Sequence, residues 1–302
     1  MNKKYLLVIL LVLFMTSCIK EDWADCNNVT INFRYPDAVS TPFSDHIAKV
    51  NLSVFRQDGS FVESHQFSKS DLTQFAGTEL KLDAGTYRIV CWGNVLDYTH
   101  LGSSTASVSD ATLTHSNASS NNGDPLFYGP KLSNIDNPDS FTITVPSSGQ
   151  ISETIDFGAA HNILEIAVKG FSDNVSGTAT ILPIVEVSNL SDGYNFSMQP
   201  LSGSVAYSRR AEAATISGDP VGFVTFVIPQ FKNDNPIVIN VRNPSDPTVV
   251  SYTLNLKDFL TKYSISVSPT VLNTVRVNIE FVNTDVEVTL PSWDDTSVHP
   301  GF

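Results

Sequence analysis

The sequence predicts an all-β protein built of antiparallel β-sandwiches, and three observations carry that prediction. Apolar and polar residues alternate with a period of two along most of the chain, clusters of Gly, Pro, Asn, Asp and Ser separate the alternating runs, and helical periodicity is confined to residues 70–75. Residues 29–35 show the first pattern plainly: Val29, Ile31, Phe33 and Tyr35 alternate with Thr30, Asn32 and Arg34, so one face is set for a core and one for water. Near the end of the chain, Val275, Val277, Ile279 and Phe281 alternate with Arg276, Asn278 and Glu280 in the same way. Between them lie the β-rich runs KVNLSVF, SFVESHQF, YRIVCWG, FTITV, ISETIDF, NILEIAVKG, ILPIVEVS, GFVTFVIP, PIVINVRN, VVSYTLNL and YSISV. RQDGS between the first two of these is a hairpin turn, and DAGT is a second turn that delivers the aromatic strand YRIVCWG into a core. Residues 102–122, rich in Ser, Thr and Asn, read as a long exposed loop.

A chain of 302 residues, at about 150 per domain, divides into two domains. The pattern breaks at VPSSGQ and a new series of strands follows, so the division falls between residues 146 and 160. The organisation expected is a signal segment over 1–17, a tether over 18–25, and β-sandwich domains over 26–155 and 156–302. No fixed-period repeat is present, which argues against a solenoid or propeller.

The N-terminus has the layout of an export signal. Lys3 and Lys4 form a basic region, residues 5–15 are an apolar run, and Thr16 and Ser17 are small residues directly before Cys18. Eleven apolar residues fall well short of the roughly 20 needed to span a bilayer core. A cysteine in this position resembles a bacterial lipobox, whose thiol is acylated and becomes the first mature residue; Met15 stands where Leu is usual. Several acyl chains, palmitate among them, would hold the protein on a membrane permanently, whereas a single myristoyl-length chain binds only marginally. Lys20, Glu21 and Asp22 then resemble the surface-export signal of Bacteroidetes lipoproteins, with a solvated charged tether as the other reading.

With 18 Lys and Arg against 31 Asp and Glu, the formal charge is −13. Loss of Lys3 and Lys4 with the signal leaves 16 basic residues and a charge of −15, which repels nucleic acid and excludes it as a partner. Two cysteines remain, Cys26 and Cys91. In an oxidising compartment they allow one disulfide, and two separate buried thiols are the equal alternative.

Nothing in the sequence points to catalysis, a metal or a cofactor. The histidines His46, His65, His100, His115, His161 and His299 show no metal-ligand spacing, the nearest pair lying 15 positions apart. There is no GxSxG elbow, phosphate-binding glycine loop or CxxC pair. Asp294, Asp295 and His299 read as an exposed acidic tail, because hard cations need more oxygen ligands at set spacing. Of Trp23, Trp92 and Trp293, Trp92 sits in a core strand, so aromatic platforms for a glycan are not evident.

Four strings, CNNVTINFRYP, KVNLSVFRQDGSFV, LDAGTYRIVCWGN and DPLFYGP, together resemble the FimB-type fimbrial anchor subunits of Bacteroidetes over roughly residues 26–130. The second half, with HNILEIAVKGF and a last strand ending at PSW, is consistent with that family. The resemblance implies two tandem transthyretin-like β-sandwich domains and a non-catalytic role at the base of a fimbrium. It implies lipid attachment to the outer membrane, exposure on the cell surface, and a fimbrial shaft subunit as partner, joined by β-strand addition. Shaft subunits of this system carry a leader removed by an arginine-specific protease; here the first arginine after Cys18 is Arg34, inside a strand, which fits an anchor and not a shaft. The alternatives are a surface glycan-binding lipoprotein and an accessory or tip subunit. Val286, Val288 and Leu290 form an apolar row within residues 285–290, either the domain's own final strand or a strand offered to the next subunit.

Overall fold

The computed structural model describes residues 27–38, 40–102, 107–115, 121–132, 141–171, 182–268, 271–282 and 285–291. The residues pack as layered sheets with three short helices, and the all-β expectation holds. In the first half, one sheet has the order β10 (Ile151–Asp156), β1 (Val29–Arg34), β4 (Gly77–Leu80). The sheet facing it runs β11 (Gly158–Ala159), β8 (Phe127–Gly129), β5 (Gly85–Gly93), β2 (Val50–Arg56), β3 (Phe61–Phe67), with β9 (Thr142–Val145) also paired to β5. β1 buries Val29, Ile31 and Phe33, and its Arg34 is exposed, as the alternation requires. β5 is flanked on both sides, which is why its sequence is apolar almost without a break. The expected β2–β3 hairpin forms around Gly59, whose φ of +86° is a conformation that only glycine adopts without strain. Asp58 there accepts the Ser60 backbone N–H at 2.9 Å.

The helical signal at residues 70–75 is α2 (Lys69–Gln74), which follows the short α1 (Phe43–His46) in chain order with β2 and β3 between them. Its N-terminus is a capping box: the Ser68 hydroxyl accepts from Asp71 N–H and the Asp71 carboxylate accepts from Ser68 N–H.

In the second half, the larger sheet has the order β16 (Glu212–Ile216), β17 (Asp219–Pro229), β12 (His161–Lys169), β20 (Thr274–Val282), β21 (Asp285–Thr289). The other runs β15 (Ser204–Arg210), β13 (Ile184–Ser191), β18 (Val238–Arg242), β19 (Val250–Asn255). Their inner faces share one apolar core, completed by Leu256, Phe259 and Leu260 of α3 (Leu256–Lys262). The exchange of strand partners between the halves falls between Ala159 and His161.

Three features differ from the sequence expectation. The sheets are not wholly antiparallel: β1 pairs parallel with β10, and β12 parallel with β20. In each half the first strand meets one from near the end, and the strands between them serve as the long crossover that a parallel pair needs. YSISV is not a strand but the exit from α3, whose Leu256, Phe259 and Leu260 follow helical spacing behind an Asn255 cap. The Ser- and Thr-rich stretch is not simply an exposed loop. It supplies β7 (Thr112–His115), which pairs with β6 (Thr99–Leu101) just before the stretch and with β14 (Gly193–Asn195) of the second half.

That small sheet joins the halves. Gly193 lies so close to β7 that a Cβ there would stand 2.0 Å from the Leu113 carbonyl oxygen. Around it Trp92, Leu113, Tyr128, Tyr194, Phe196 and Met198, from both halves, form a separate core. Polar groups tie it down: Tyr128 Oη donates to the Phe196 carbonyl at 2.9 Å and Tyr194 Oη to the Ala160 carbonyl at 3.1 Å.

Leu113 is fully buried in a segment whose composition suggests a loop. Leu113→Ala should therefore cost about 2–5 kcal/mol in chemical denaturation, against less than about 0.5 kcal/mol for a residue in an exposed loop.

Candidate assembly edge

An open sandwich leaves unpaired backbone groups along its outer strands, and these are its natural contact points. The edge strands carry charges that discourage indiscriminate pairing, among them Glu79 on β4, Glu212 on β16, and Asp285 and Glu287 on β21. β21 is distinct because it lies outside the frame the two halves share. In the first half β10, the last strand on β1, forms the sheet's margin; in the second, β20 takes the equivalent place on β12 and β21 is added beyond it.

The apolar row read from the sequence is on this strand. Val286 and Val288 pack against the second-half core opposite Phe281 and Ile279, while Leu290 just beyond is 43% exposed. In the isolated chain the segment is thus docked on its own sheet. The other face carries a like-charge pair, Glu280 directly opposite Glu287. Lys169 reaches Glu280 at 3.1 Å and Asp219 at 2.8 Å. Asn278 donates to the Thr289 hydroxyl at 3.2 Å.

A second group of contacts comes from α3. Tyr263 Oη donates to the Val288 carbonyl at 2.7 Å, and Lys262 Nζ to the same oxygen at 3.4 Å. The Tyr263 ring rests on Phe259 at 4.9 Å between centroids, with the Lys262 ammonium 4.9 Å from its centre. Sequence reasoning passed over both residues, since the contact joins positions 25 and 26 apart and leaves no local pattern.

The remaining sequence candidates are dispersed. Cys18, Lys20, Glu21, Asp22 and Cys26 lie outside the described residues, as do Trp23, Trp293 and the acidic tail with His299. Cys91 is a free thiol fully buried beside β2 and β8, and burial pushes its pKa far up, which leaves it inert. Among the described residues no three His, Cys, Asp or Glu side chains gather to hold a metal. Trp92 is buried between Tyr128 and Tyr194 and offers no ring to a ligand.

The buried titratable groups line the joint between the halves. Burial pushes His115 down to about 4, opposed by the nearby Asp124 carboxylate. Burial likewise pushes His161 down to about 4, opposed by its 2.7 Å hydrogen bond to the Leu126 carbonyl. Asp124 is itself buried and accepts from Leu96 N–H at 2.9 Å and from the Thr99 hydroxyl at 2.5 Å.

A layered sheet architecture with an added peripheral strand is that of a structural β-protein and does not by itself define a role; comparison with known proteins supplies the class. Over residues 23–298 the chain matches the family described as fimbrillin-A associated anchor proteins Mfa1 and Mfa2, and it belongs to that family. Its fold is similar to that of the fimbrial anchor protein Mfa2 from Porphyromonas gingivalis, with a TM-score of 0.60 at 15% identity over 87% of this chain and 95% of that one. A Bacteroides ovatus protein proposed to be an adhesin gives 0.66 at 12% identity, covering 88% and 94%. A Bacteroides thetaiotaomicron protein proposed to bind polysaccharide gives 0.62 at 15% identity, covering 85% and 91%. No curated protein sequence matches the chain.

The depressed histidines predict acid sensitivity. Between pH 6.5 and 4 the unfolded chain binds protons at His115 and His161 that the native chain does not, so stability is intact above that window and falls through it, by about 3 kcal/mol per histidine. His115→Leu should reduce the loss of stability between pH 7 and 4.5 by about 2 kcal/mol in paired denaturation curves. An unchanged loss would mean that His115 does not titrate as its burial dictates.

Proposed function

We propose that this protein is a non-catalytic fimbrial anchor subunit, lipid-attached to the outer membrane at Cys18, surface-exposed on its Lys20-Glu21-Asp22 tether, and joined to the base of the shaft by β-strand addition. The observation that carries the reading is β21: a strand with an apolar row, placed at a sheet margin and absent from the frame of the first half, in a chain that belongs to a fimbrial anchor family. A strand of this kind supplies backbone hydrogen bonds for affinity and alternate side chains for selectivity. A subunit that extends a filament at one end and carries lipid at the other fixes the filament to the cell.

Arg34 supports the anchor over the shaft reading. It sits within β1 and makes a two-point ion pair with Asp156 of β10, at 2.6 and 2.8 Å. A cut there would sever the strand that the first half closes upon and part the fold from its lipid. The glycan-binding alternative draws on the likeness to the Bacteroides thetaiotaomicron protein, while the buried position of Trp92 argues against it. The lipid signal argues against a tip position.

Two substitutions test the proposal. Cys18→Ala should move the protein out of the membrane fraction or leave the precursor unprocessed; mature-sized protein still partitioning with membranes would remove the lipid anchor from the reading. Val288→Pro should cost the monomer only about 1–3 kcal/mol, because β21 is a margin strand, yet lower recovery of the protein with purified fimbriae at least tenfold. Normal recovery of a folded variant would rule β21 out as the joining strand.

A further inference from the structure

β21 is held to the body by contacts that partly oppose one another. Favouring the docked state are one hydrogen-bonded margin with β20, the partly buried Val286 and Val288, and the Asn278–Thr289 side-chain bond. Opposing it are the Glu280–Glu287 pair directly across the ladder and the absence of a covering sheet, which leaves alternate residues of the strand exposed. Strands with one ladder and little buried area belong to the least stable part of a fold. Against that background the α3 contact is conspicuous, since a tyrosine and a lysine converge on a single backbone oxygen of the strand.

We propose that α3 is a latch for the C-terminal strand, with Tyr263 and Lys262 as positioning residues that bias β21 between a docked and a released state. The geometry favours a latch over an incidental contact. α3 is fixed independently of β21, with Leu256, Phe259 and Leu260 anchored in the core and its N-terminus capped by Asn255. The Tyr263 ring is braced by Phe259, so its hydroxyl stays in place whether or not the strand is present. Both donors read the Val288 carbonyl and not a side chain, so they would hold any extended segment in this register. Loss of the bond to Val288 shifts the balance of the whole strand toward release, with Val286, Val288 and Leu290 moving together. What that freed strand then does rests on the proposed role of β21 in assembly; the latch itself does not.

The test is amide hydrogen exchange on the full chain, read at residues 285–290. Tyr263→Phe keeps the ring packed on Phe259 and removes only the donor. It should speed exchange of the β21 amides about fivefold, the effect of one net hydrogen bond, with β12 and β17 unchanged. Lys262→Ala should act in the same direction more weakly. Glu287→Gln, which relieves the like-charge pair without touching α3, should slow exchange. Unchanged exchange in Tyr263→Phe overturns the latch, and so does acceleration spread equally over β12 and β17, which would report global loosening. Recovery with fimbriae, measured on the same variants, separates the two ideas. Faster exchange with unaltered recovery leaves the latch standing and removes the assembly role of β21, while altered recovery with unchanged exchange removes the latch alone.

Discussion

The first strand of each half is paired in parallel with a strand from near that half's end, β1 with β10 and β12 with β20, and most other features follow from that closure. The pairing of β1 spans residues about 120 positions apart, and Arg34 clamps its end to Asp156. Closing either sheet therefore depends on contacts between residues more than 100 positions apart, such as Val29 with Ile151 and Ile163 with Thr274. The same closure makes the chain before β1 continuous with the core. Asn28, directly before β1, donates to the Leu82 carbonyl at 2.7 Å and accepts from Leu82 N–H at 2.9 Å, so the start of the strand is held by these side-chain bonds as well as by its ladder.

The joint between the halves is built on different principles from the two main cores. There a short strand from each half pairs across, and aromatic rings fill the space around Tyr194. Several polar atoms in this region, including both ring nitrogens of His115 and the hydroxyl of Tyr207, are buried and lack a protein hydrogen-bond partner. Such atoms are costly in a dry interior and mark places where water or a change of packing can intervene. The joint is tight, by Gly193 against the Leu113 carbonyl, and at the same time chemically the least satisfied part of the interior.

What the sequence made legible follows from the range of the interactions involved. Period-two runs disclosed nearly every long strand, because a strand with one buried face writes its own pattern whatever its partner. The Ser68–Asp71 cap and the Gly59 turn are also local and were equally readable. β7 was not: four residues, three of them Thr or His, bury Leu113 only because β14 comes from 80 residues further on. The parallel pairings were hidden for the same reason, since direction belongs to the pair and not to the strand. α3 was concealed by its brevity, with three apolar residues inside a chain otherwise dominated by alternation. At the candidate edge, Val286, Val288 and Leu290 stood out by their spacing, whereas Tyr263 and Lys262 gained meaning only when α3 was brought beside β21.

A strand that is to be exchanged faces two demands that pull apart. Held too firmly, it cannot leave its own sheet; held too loosely, it is an adhesive apolar row on a surface protein at high local density. β21 meets both with ordinary means. Its margin bears Asp285 and Glu287, charges that a chance neighbour of the same negative chain would have to bury or repel. Its inner face bears two valines, which gain from burial but are small enough to be given up singly. The pairing with β20 is weakened where Glu280 meets Glu287 and reinforced one residue on, where α3 reaches the Val288 carbonyl, so the balance is set by a charge and a backbone oxygen and not by the apolar side chains. That separation matters for specificity. On the proposed reading, the side chains a partner would recognise, Val286, Val288 and Leu290, differ from the groups that govern release, Glu280, Glu287, Lys262 and Tyr263.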